Sequence, residues 1–405
     1  MKASVLFVSV ISLLTCTVKA QTDPEIISWV INTTGAVGYN NIPSNVQTLQ
    51  YSATQVYVSC SCIPGYAIGP WAGNPNVASN QNFVFQITRN PQQNTGTPTA
   101  VGLGHVGIFS NGVSIFNVSD AMSYNNAGVW NRNAYYWEGP GFDNCLGHPQ
   151  QQGEYHHHVS PKCLYNVNDS SVHSPIIGYA FDGFPVYGAY GYANVNGTGA
   201  IKRMVSSYTL SAATTRANGP AVNASYPAGC FIEDFVYTAG YGTLDSRNGR
   251  FCVTPEYPSG TYAYFVTLDA SLAPAFPYTL FGSYYGVVQA GNTGPNSGHV
   301  TVSEPTTVYT PSNSTGLKEN ALPAIKYRMM PNPTQDYLFI YMDEASLNNV
   351  TGKLYDAKGQ LVQNIPYMQP SIAYTLDMSS LPEGIYSLVL QAGSQKVSEK
   401  IIKSK

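Results

Sequence analysis

The chain has 405 residues, a formal net charge of −3 at pH 7, and charged side chains at only 10% of its positions. Typical globular domains carry about 25% charged residues, whereas this chain is rich in tyrosine and glycine, with 31 and 37 residues. The composition excludes a basic nucleic-acid-binding surface and is typical of an extracellular β-protein.

The first predicted element is a removable secretory signal at residues 1–20. Lys2 precedes an apolar stretch from Val5 to Leu14, and Val18-Lys19-Ala20 offers a small-residue cleavage site ahead of Gln21. No second apolar run approaches the roughly 20 residues that a membrane helix needs, so we expect no transmembrane anchor.

Residues 21–302 form a Tyr/Gly-rich body in which short strand-like runs are separated by turn residues. The clearest runs are Phe83–Ile87, Val106–Phe109 and Tyr262–Thr267, and Asn-Gly and Asp-Gly pairs mark tight hairpins. Asp182 is most simply the first residue of one such turn. Helical periodicity is scarce and no repeat of fixed period is present. We predict a mostly β, sandwich-like body with few short helices.

Three of the seven histidines stand side by side in the segment Tyr155-His156-His157-His158. If this segment is a β-strand, alternation places His156 and His158 on one face, with Tyr155 and His157 on the other. Neutral imidazole is the commonest protein ligand for zinc and copper, so the pair predicts two ligands of a metal site. The alternative is a hydrogen-bonded His/Tyr strand that holds no ion.

A metal site needs at least one further ligand. His148 follows Cys145-Leu146-Gly147 and could fold back beside the pair, so we expect it to join them. His105, which opens a predicted strand, and His173, in a loop, are further candidates. A loop histidine bonded to a backbone carbonyl is the simpler interpretation of His173. Three histidines with an open fourth position would suit a zinc-activated water or a copper centre, and the choice of metal stays open.

Neighbouring side chains could support such a site without binding the ion. Tyr155 and His157 are candidates for orienting a ligand, because metal-bound histidines usually donate their second N–H to a neighbour. Asp182 could take part only if the fold brought it to the histidines. Glu154 is the best-placed carboxylate for general base catalysis.

The cysteine content indicates disulfide bonds. Loss of the signal removes Cys16 and leaves six cysteines, which is an even number in an exported chain. We expect Cys145 to pair with Cys163, because that bond would clamp the base of the loop that carries the histidines.

The remaining four cysteines allow two kinds of site. Cys60 and Cys62 are too close in sequence to pair comfortably with each other, so we expect each to bond to Cys230 or Cys252. A thiolate metal site at Cys60 and Cys62 is a weaker alternative, since export favours oxidation.

The composition changes after the body. Residues 303–328, rich in proline, serine and threonine, are predicted to be a linker. Residues 329–405 then show short alternating strands, which predict a small C-terminal β-sandwich. The predicted strands are Tyr337–Tyr341, Val350–Tyr355, Ile372–Asp377 and Gly384–Leu390.

This C-terminal segment resembles the sorting domain of type IX secretion substrates. The resemblance is carried by Asn332-Pro333, Tyr355-Asp356-Ala357-Lys358-Gly359, the step from Leu381 to Tyr386, and the basic end from Lys400 to Lys403. It implies the type IX secretion machinery as a partner, and a location outside a Gram-negative cell or on its outer membrane. Such a domain is a sorting signal and implies nothing about the activity of the body.

The body resembles the YHYH domain family, whose tetrapeptide here reads Tyr155-His156-His157-His158. Further matches are Gly147-His148-Pro149, Ser174–Gly188, and Asn248-Gly249-Arg250 leading to Pro258–Tyr262. His157 stands where the family has tyrosine, but His156 and His158 are retained. The resemblance identifies the domain and implies no particular reaction.

The leading hypothesis is an exported YHYH-domain protein that binds copper or zinc through His156, His158 and His148. The alternative is a non-enzymatic cell-surface module that binds a glycan or a protein and in which the His/Tyr strand is structural. A third interpretation is a metal that serves only to stabilise the fold. No G-x-S-x-G, P-loop or dinucleotide motif stands in a supporting context, which disfavours covalent acyl transfer and nucleotide chemistry.

Overall fold

The computed structural model describes residues 23–294, 297–311, 327–342, 350–368, 374–392 and 395–404. The predicted signal and the centre of the predicted linker lie outside these ranges. Within them the fold is mostly β, as predicted, with two four-residue α-helices, Pro24–Ile27 (α1) and Ala134–Trp137 (α2). No helix in these ranges is both long enough and apolar enough to cross a membrane.

The described part of the body contains many short strands. In chain order they are Val46–Tyr51 (β1), Gln55–Cys60 (β2), Phe83–Thr88 (β3), His105–Phe109 (β4), Ser114–Phe116 (β5), Ser119–Ser123 (β6), Asn131–Asn133 (β7), His148–Pro149 (β8), Tyr155–His157 (β9), Ile176–Ala180 (β10), Pro185–Tyr187 (β11), Tyr190–Tyr192 (β12), Ile201–Arg203 (β13), Tyr208–Leu210 (β14), Phe235–Tyr237 (β15), Gly249–Cys252 (β16), Thr261–Phe265 (β17) and Thr307–Val308 (β18). Single 3-10 turns lie at Tyr39–Asn41, Tyr124–Asn126, Gly139–Gly141 and Ile232–Asp234.

Two sheets dominate the described body. A four-stranded sheet has the order β18-β1-β2-β3, and an eight-stranded sheet has the order β16-β17-β11-β10-β4-β5-β9-β8. Their neighbouring strands are antiparallel, except that β11 is parallel to β17 and β5 is parallel to β9. Three hairpin-like pairs, β6 with β7, β12 with β13 and β14 with β15, complete the sheets of this region.

One hydrophobic core joins the two larger sheets. Val58 and Phe85 of the four-stranded sheet belong to the same buried cluster as Ile108 and Tyr179 of the eight-stranded sheet. Strands β4, β10 and β17 are buried at every residue, as expected for strands covered on both faces. The body is therefore sandwich-like, as the alternating strand pattern predicts.

The edge of the eight-stranded sheet positions the histidine segment. Strand β9 pairs with β5 on one side and with β8 on the other, so β8 is the outermost strand. In the antiparallel pair of β8 and β9, His148 lies opposite His156 and Pro149 lies opposite Tyr155. Residues that lie opposite one another on paired strands project to the same face, so His148 and His156 share a face.

A disulfide bond closes the loop that carries both edge strands. Cys145 and Cys163 are bonded with their Cα atoms 5.2 Å apart, as predicted. The bond spans 18 residues and encloses β8 and β9. The backbone N–H of Lys162 also donates to Cys145 O at 3.3 Å, which reinforces the base of the loop.

The other expected disulfides are absent from the structure. The four remaining described cysteines are free and buried: Cys60, Cys62, Cys230 and Cys252. Their thiols face different groups, since Cys62 Sγ lies 3.0 Å from Tyr155 O while Cys230 Sγ lies 3.8 Å from Arg216 Nη2. Burial raises the pKa of Cys60 to about 12 and that of Cys62 well above its usual value, so both free thiols are protonated at neutral pH.

The C-terminal segment forms a small β domain, as predicted. Its strands are Tyr327–Met330 (β19), Tyr337–Met342 (β20), Val350–Tyr355 (β21), Leu361–Met368 (β22), Tyr374–Asp377 (β23), Gly384–Ala392 (β24) and Gln395–Lys403 (β25). They form one sheet with the order β19-β20-β23 and another with the order β22-β21-β24-β25. Leu338, Ile340, Leu354 and Leu388 are among the residues of a separate buried core. The four strands predicted from the sequence did not include β19, β22 or β25.

Candidate metal centre

Three histidines come together at the sheet edge. His148 belongs to β8 and His156 belongs to β9. His158, two residues after His156, lies just past the end of β9 and projects to the same face. One ligand atom from each of the three residues lies within 4.8 Å of the other two. All three side chains are buried, with exposed fractions of 7%, 2% and 3%. The structure thus brings together the three residues that the sequence suggested as ligands.

Backbone carbonyls fix the orientation of two of these rings. His156 Nδ1 bonds to Glu154 O at 3.0 Å, and His158 Nδ1 bonds to Asn117 O. A carbonyl oxygen can only accept, so Nδ1 carries the hydrogen in both rings and Nε2 is left with a lone pair when the ring is neutral. The hydrogen bonds therefore select the tautomer in which Nε2 can bind a metal.

The two Nε2 atoms face each other. His156 Nε2 lies 3.0 Å from His158 Nε2. Burial, followed by the charges of His148 and His158, lowers the pKa of His156 well below its usual value, so this ring is neutral. Two nitrogens bound tetrahedrally to one zinc ion are about 3.3 Å apart, a separation close to the one observed.

Glu138 contributes a carboxylate that the sequence did not suggest. Its Oε2 lies 3.0 Å from His158 Nε2 and 3.6 Å from His148 Nε2. Among the described residues, Glu138 Oε2 and His148 Nε2 are both buried and have no hydrogen-bond partner of acceptable geometry. These two buried atoms without partners lie beside the Nε2 atoms of His156 and His158. The four atoms together form a ligand set suited to a cation.

A one-turn helix places Glu138 at the site. Asn133 caps α2, because its side-chain oxygen accepts the N–H of Tyr135 at 3.2 Å, and the Glu138 N–H closes the turn on Ala134 O at 2.8 Å. Burial by itself would raise the pKa of Glu138. The hydrogen bond and charge of His158, with smaller contributions from other neighbours, outweigh that effect and hold the pKa below its usual value.

Aromatic rings hold the imidazoles in place. The Phe116 ring stacks on His156 with centroids 3.7 Å apart, and the Phe142 ring lies 4.8 Å from the ring of His148. Asn74 Nδ2 lies 3.4 Å from His148 Nδ1, a contact too long to fix the tautomer of that ring. The arrangement positions the rings with little freedom to rotate.

The site opens into a cavity of about 640 Å³. Its wall includes Asp120, Glu138 and the three histidines. Burial raises the pKa of Asp120 to about 6, and Arg132 Nη1 lies 3.9 Å from its carboxylate. A small molecule could therefore reach the histidine cluster from solvent beside a second carboxyl group.

Tyr155 and His157 lie on the opposite face, as strand alternation predicts. The Tyr155 hydroxyl donates to Asp143 Oδ2 at 2.9 Å, while His157 bonds through Nδ1 to Leu146 O at 2.8 Å and through Nε2 to Tyr66 at 3.1 Å. Both side chains are fully buried. They stabilise the loop before β8, whereas the hydrogen bonds to the rings of His156 and His158 come from backbone carbonyls.

The other suggested residues lie outside the cluster. His173 Nδ1 bonds to Ser174 O at 2.7 Å, which is the carbonyl contact expected of a loop histidine. Asp182 is buried in a turn, where its Oδ1 accepts the N–H of Phe184 at 3.2 Å. His105 faces Glu154 instead, with His105 Nδ1 3.1 Å from the carboxylate, so Glu154 is turned away from His156.

Two family models match the chain. The model of the YHYH protein family matches residues 84–279, which include Glu138 and all three clustered histidines. The model of the secretion system C-terminal sorting domain matches residues 328–404, which cover the small C-terminal β domain. No curated protein matches the chain.

Proposed function

Because the chain is an exported YHYH protein that ends in a secretion system C-terminal sorting domain, we propose that its body binds one copper or zinc ion. His148, His156 and His158 are the proposed nitrogen ligands, and Glu138 is the proposed oxygen ligand. The sorting domain directs the chain to secretion or to attachment at the cell surface.

The observation that carries the proposal is the pair of facing Nε2 atoms. The carbonyl bonds take the N–H of Nδ1 in both rings, so Nε2 carries a lone pair in the neutral tautomer of His156 and of His158, yet the two nitrogens lie only 3.0 Å apart. In the absence of a shared cation or proton, two lone pairs at that distance repel each other and lack the hydrogen bonds that buried polar atoms need. Nitrogen and carboxylate ligands together suit zinc and copper(II).

The cavity beside the cluster favours a functional ion over a closed structural one. Structural zinc sites are sealed from solvent, whereas a functional ion keeps a coordination position open to solvent or substrate. With all four proposed ligands bound, the ion would need a further position on the side of the cavity. When bound, zinc or copper would supply Lewis acidity or redox chemistry at this opening. The protein orients the rings, and Asp120 lies on the wall of the same cavity.

The test is the metal content of the chain from Gln21, produced with its disulfide intact. We expect about one equivalent of copper or zinc per chain by elemental mass spectrometry, and little in a His156→Ala/His158→Ala variant. Glu138→Gln should weaken affinity by about tenfold or more in a competition titration, since it removes the carboxylate. His299→Ala is the matched control, because it removes an exposed histidine outside the cluster.

Absence of metal from the parent chain, even after reconstitution with copper and with zinc, would overturn the proposal. The surface-module alternative, in which the His/Tyr strand is structural, would then be preferred. Equal metal content in the parent and in the double variant would place the ion elsewhere.

A further inference from the structure

We propose that Ser297, His105 and Glu154 form a nucleophilic triad that hydrolyses carboxylic esters in a second cavity of the body. This cavity and the one beside the histidine cluster share four wall residues, Leu103, Gly104, Phe116 and Gln150. The proposal concerns a different set of side chains from the metal ligands and does not depend on metal binding.

The three residues form a continuous chain of contacts. Ser297 Oγ lies 2.6 Å from His105 Nε2, and His105 Nδ1 lies 3.1 Å from Glu154 Oε1. Both distances are within hydrogen-bond reach. A hydroxyl next to an imidazole that is oriented by a carboxylate is the arrangement that activates a serine for nucleophilic attack.

The surroundings of Glu154 set the tautomer of His105. Glu154 also accepts hydrogen bonds from Ser114 Oγ at 2.6 Å and from Gln150 Nε2 at 2.8 Å. A carboxylate that gathers donors in this way takes the N–H of His105 Nδ1, which leaves Nε2 as the acceptor facing Ser297. That is the tautomer a general base requires.

The base and its carboxylate are rigidly held. His105 and Glu154 are 8% and 3% exposed. The edges of the Phe85 and Phe181 rings meet the His105 ring at centroid distances of 5.3 Å and 5.9 Å. This packing prevents His105 from turning away from Ser297, and the low polarity strengthens its interaction with Glu154.

The loop that carries Ser297 is anchored on the four-stranded sheet. Gly298 has φ +81°, and a Cβ there would lie 2.8 Å from the Phe85 ring, so only glycine fits. Its N–H bonds to Gly291 O and its carbonyl accepts the N–H of Val84 at 2.7 Å. Ser297 Oγ also lies 2.6 Å from Gly294 O, so this carbonyl and His105 Nε2 compete for the single hydroxyl hydrogen, and attack requires the bond to His105.

The cavity has the size and lining for an acyl group. It encloses about 970 Å³ and combines the polar triad with the apolar side chains of Leu103, Tyr284 and Val288. Ser297 is partly exposed to this space, whereas His105 and Glu154 form its floor. An ester with an apolar acyl chain matches a cavity with one nucleophile and an apolar wall.

The reaction balances without a co-reactant other than water. Ser297 Oγ bonds to the acyl carbon while its proton moves to His105 Nε2. The bond to the alcohol oxygen then breaks, and the alcohol leaves with that proton. Water adds to the acyl-serine with His105 again taking and returning a proton, which releases the carboxylic acid and restores Ser297. Glu154 stabilises the imidazolium that forms in each step.

The test is covalent labelling of the chain from Gln21 with a fluorophosphonate, which phosphonylates an activated serine and releases fluoride. We expect one adduct per chain, mapped to Ser297 by peptide mass spectrometry, and none in Ser297→Ala. Ser303→Ala is the matched control, because it removes an exposed serine. Hydrolysis of p-nitrophenyl butyrate should fall by about 100-fold or more in Ser297→Ala.

Labelling of Ser297 no faster than that of exposed serines would overturn the proposal. A folded His105→Gln variant that is labelled at the parental rate would also overturn it, since His105 would then not act as the general base. If His105→Gln does not fold, the comparison of Ser297 with exposed serines decides alone. We expect Ser297 to be labelled also in His156→Ala/His158→Ala, since these side chains belong to the metal site. This variant therefore distinguishes failure of the triad from failure of the metal site.

Discussion

Asp182 is a carboxylic acid with no exposed surface. It accepts hydrogen bonds from the Tyr264 hydroxyl at 2.7 Å and from the N–H groups of Gly286 and Phe184 at 2.8 Å and 3.2 Å. Burial raises the pKa of Asp182 to about 6, and these hydrogen bonds only partly oppose it. Asp182 therefore links the turn after β10 to the segment around Gly286 by hydrogen bonds, and it lies outside the histidine cluster.

The raised pKa predicts a pH-dependent stability. Between pH 3.8, the usual value, and about 6, the native chain holds the Asp182 proton more tightly than the unfolded chain. The free energy of unfolding should thus fall as pH rises through this window, by up to about 3 kcal/mol. In Asp182→Asn the decline should be shallower, because the charge is gone, although the variant is less stable throughout. Urea unfolding at several pH values between 4 and 7 measures this.

Asp169→Asn is the control for the pH dependence. Asp169 lies in a partly exposed turn, and the side-chain and backbone hydrogen bonds of Ser171 lower its pKa. It therefore titrates below the tested window, and its replacement should leave the parental slope between pH 4 and 7 in place. Equal slopes in the parent and in Asp182→Asn would show that Asp182 does not cause the effect.

Local geometry also explains which site residues could be predicted from the sequence. His156 and His158 share a face because a strand alternates, and alternation is a local property. Glu138 was missed because it follows a one-turn helix without periodicity and meets the histidines only through tertiary packing. Ser297 and His105 are 192 residues apart, so no sequence motif connects them.

The disulfide-closed loop is the element that aligns the ligands. It carries His148 on β8 and His156 on β9, and it is joined to the rest of the sheet through the pairing of β9 with β5. The outer strand β8 has only two residues and a single neighbouring strand. Its position therefore depends on the bond between Cys145 and Cys163 more than on sheet hydrogen bonds.

Replacing both bonded cysteines by serine should destabilise the fold and weaken the metal site together. Opening an 18-residue loop costs about 3 kcal/mol in the chain-entropy model. Because β8 would then be free to move from β9, His148 should contribute less to metal affinity. Denaturant unfolding and a competitive zinc titration measure the two effects.

Cys252→Ser is the control, since it removes a free thiol from β16, at the opposite edge of the same sheet. Parental zinc affinity in the double serine variant would show that β8 is positioned without the bond.

The runs with the clearest strand pattern were predictable as strands, whereas most of the short strands and all of the pairing were not. The runs predicted at 83–87 and 106–109 correspond to β3 and β4, because aromatic and β-branched residues alternate there between turns. The parallel pairing of β5 with β9 joins segments that lie far apart in the chain, and nothing local specifies it. The free cysteines show the same limit, since even numbers and export alone do not fix which thiols meet.

The described residues contain three separate buried clusters, two in the body and one in the C-terminal domain. The main cluster of the body includes residues of β1 to β5, β9 to β12, β16 and β17, and the smaller one consists of Val118, Val159, Phe276 and Tyr278. The cluster of the C-terminal domain draws on residues from Leu338 to Ile401. A core of its own is what a unit needs in order to fold alone. The match of a secretion system C-terminal sorting domain to residues 328–404 gives this second unit a role in secretion or in attachment at the cell surface.

Metal should therefore stabilise one of the two units only. An ion that binds the native body but not the unfolded chain adds about 2.7 kcal/mol at a free concentration 100 times its Kd. In calorimetry of the chain from Gln21, zinc or copper should raise one unfolding transition, a chelator should lower it again, and the transition of the C-terminal domain should not move. A chain that ends at residue 311 should keep the metal-sensitive transition and lose the other. Two outcomes would contradict this prediction: a single transition that shifts as a whole, or a body transition that is lost on truncation. Either would show that the body and the C-terminal domain unfold as one unit, because the ion could then stabilise the C-terminal domain through the body.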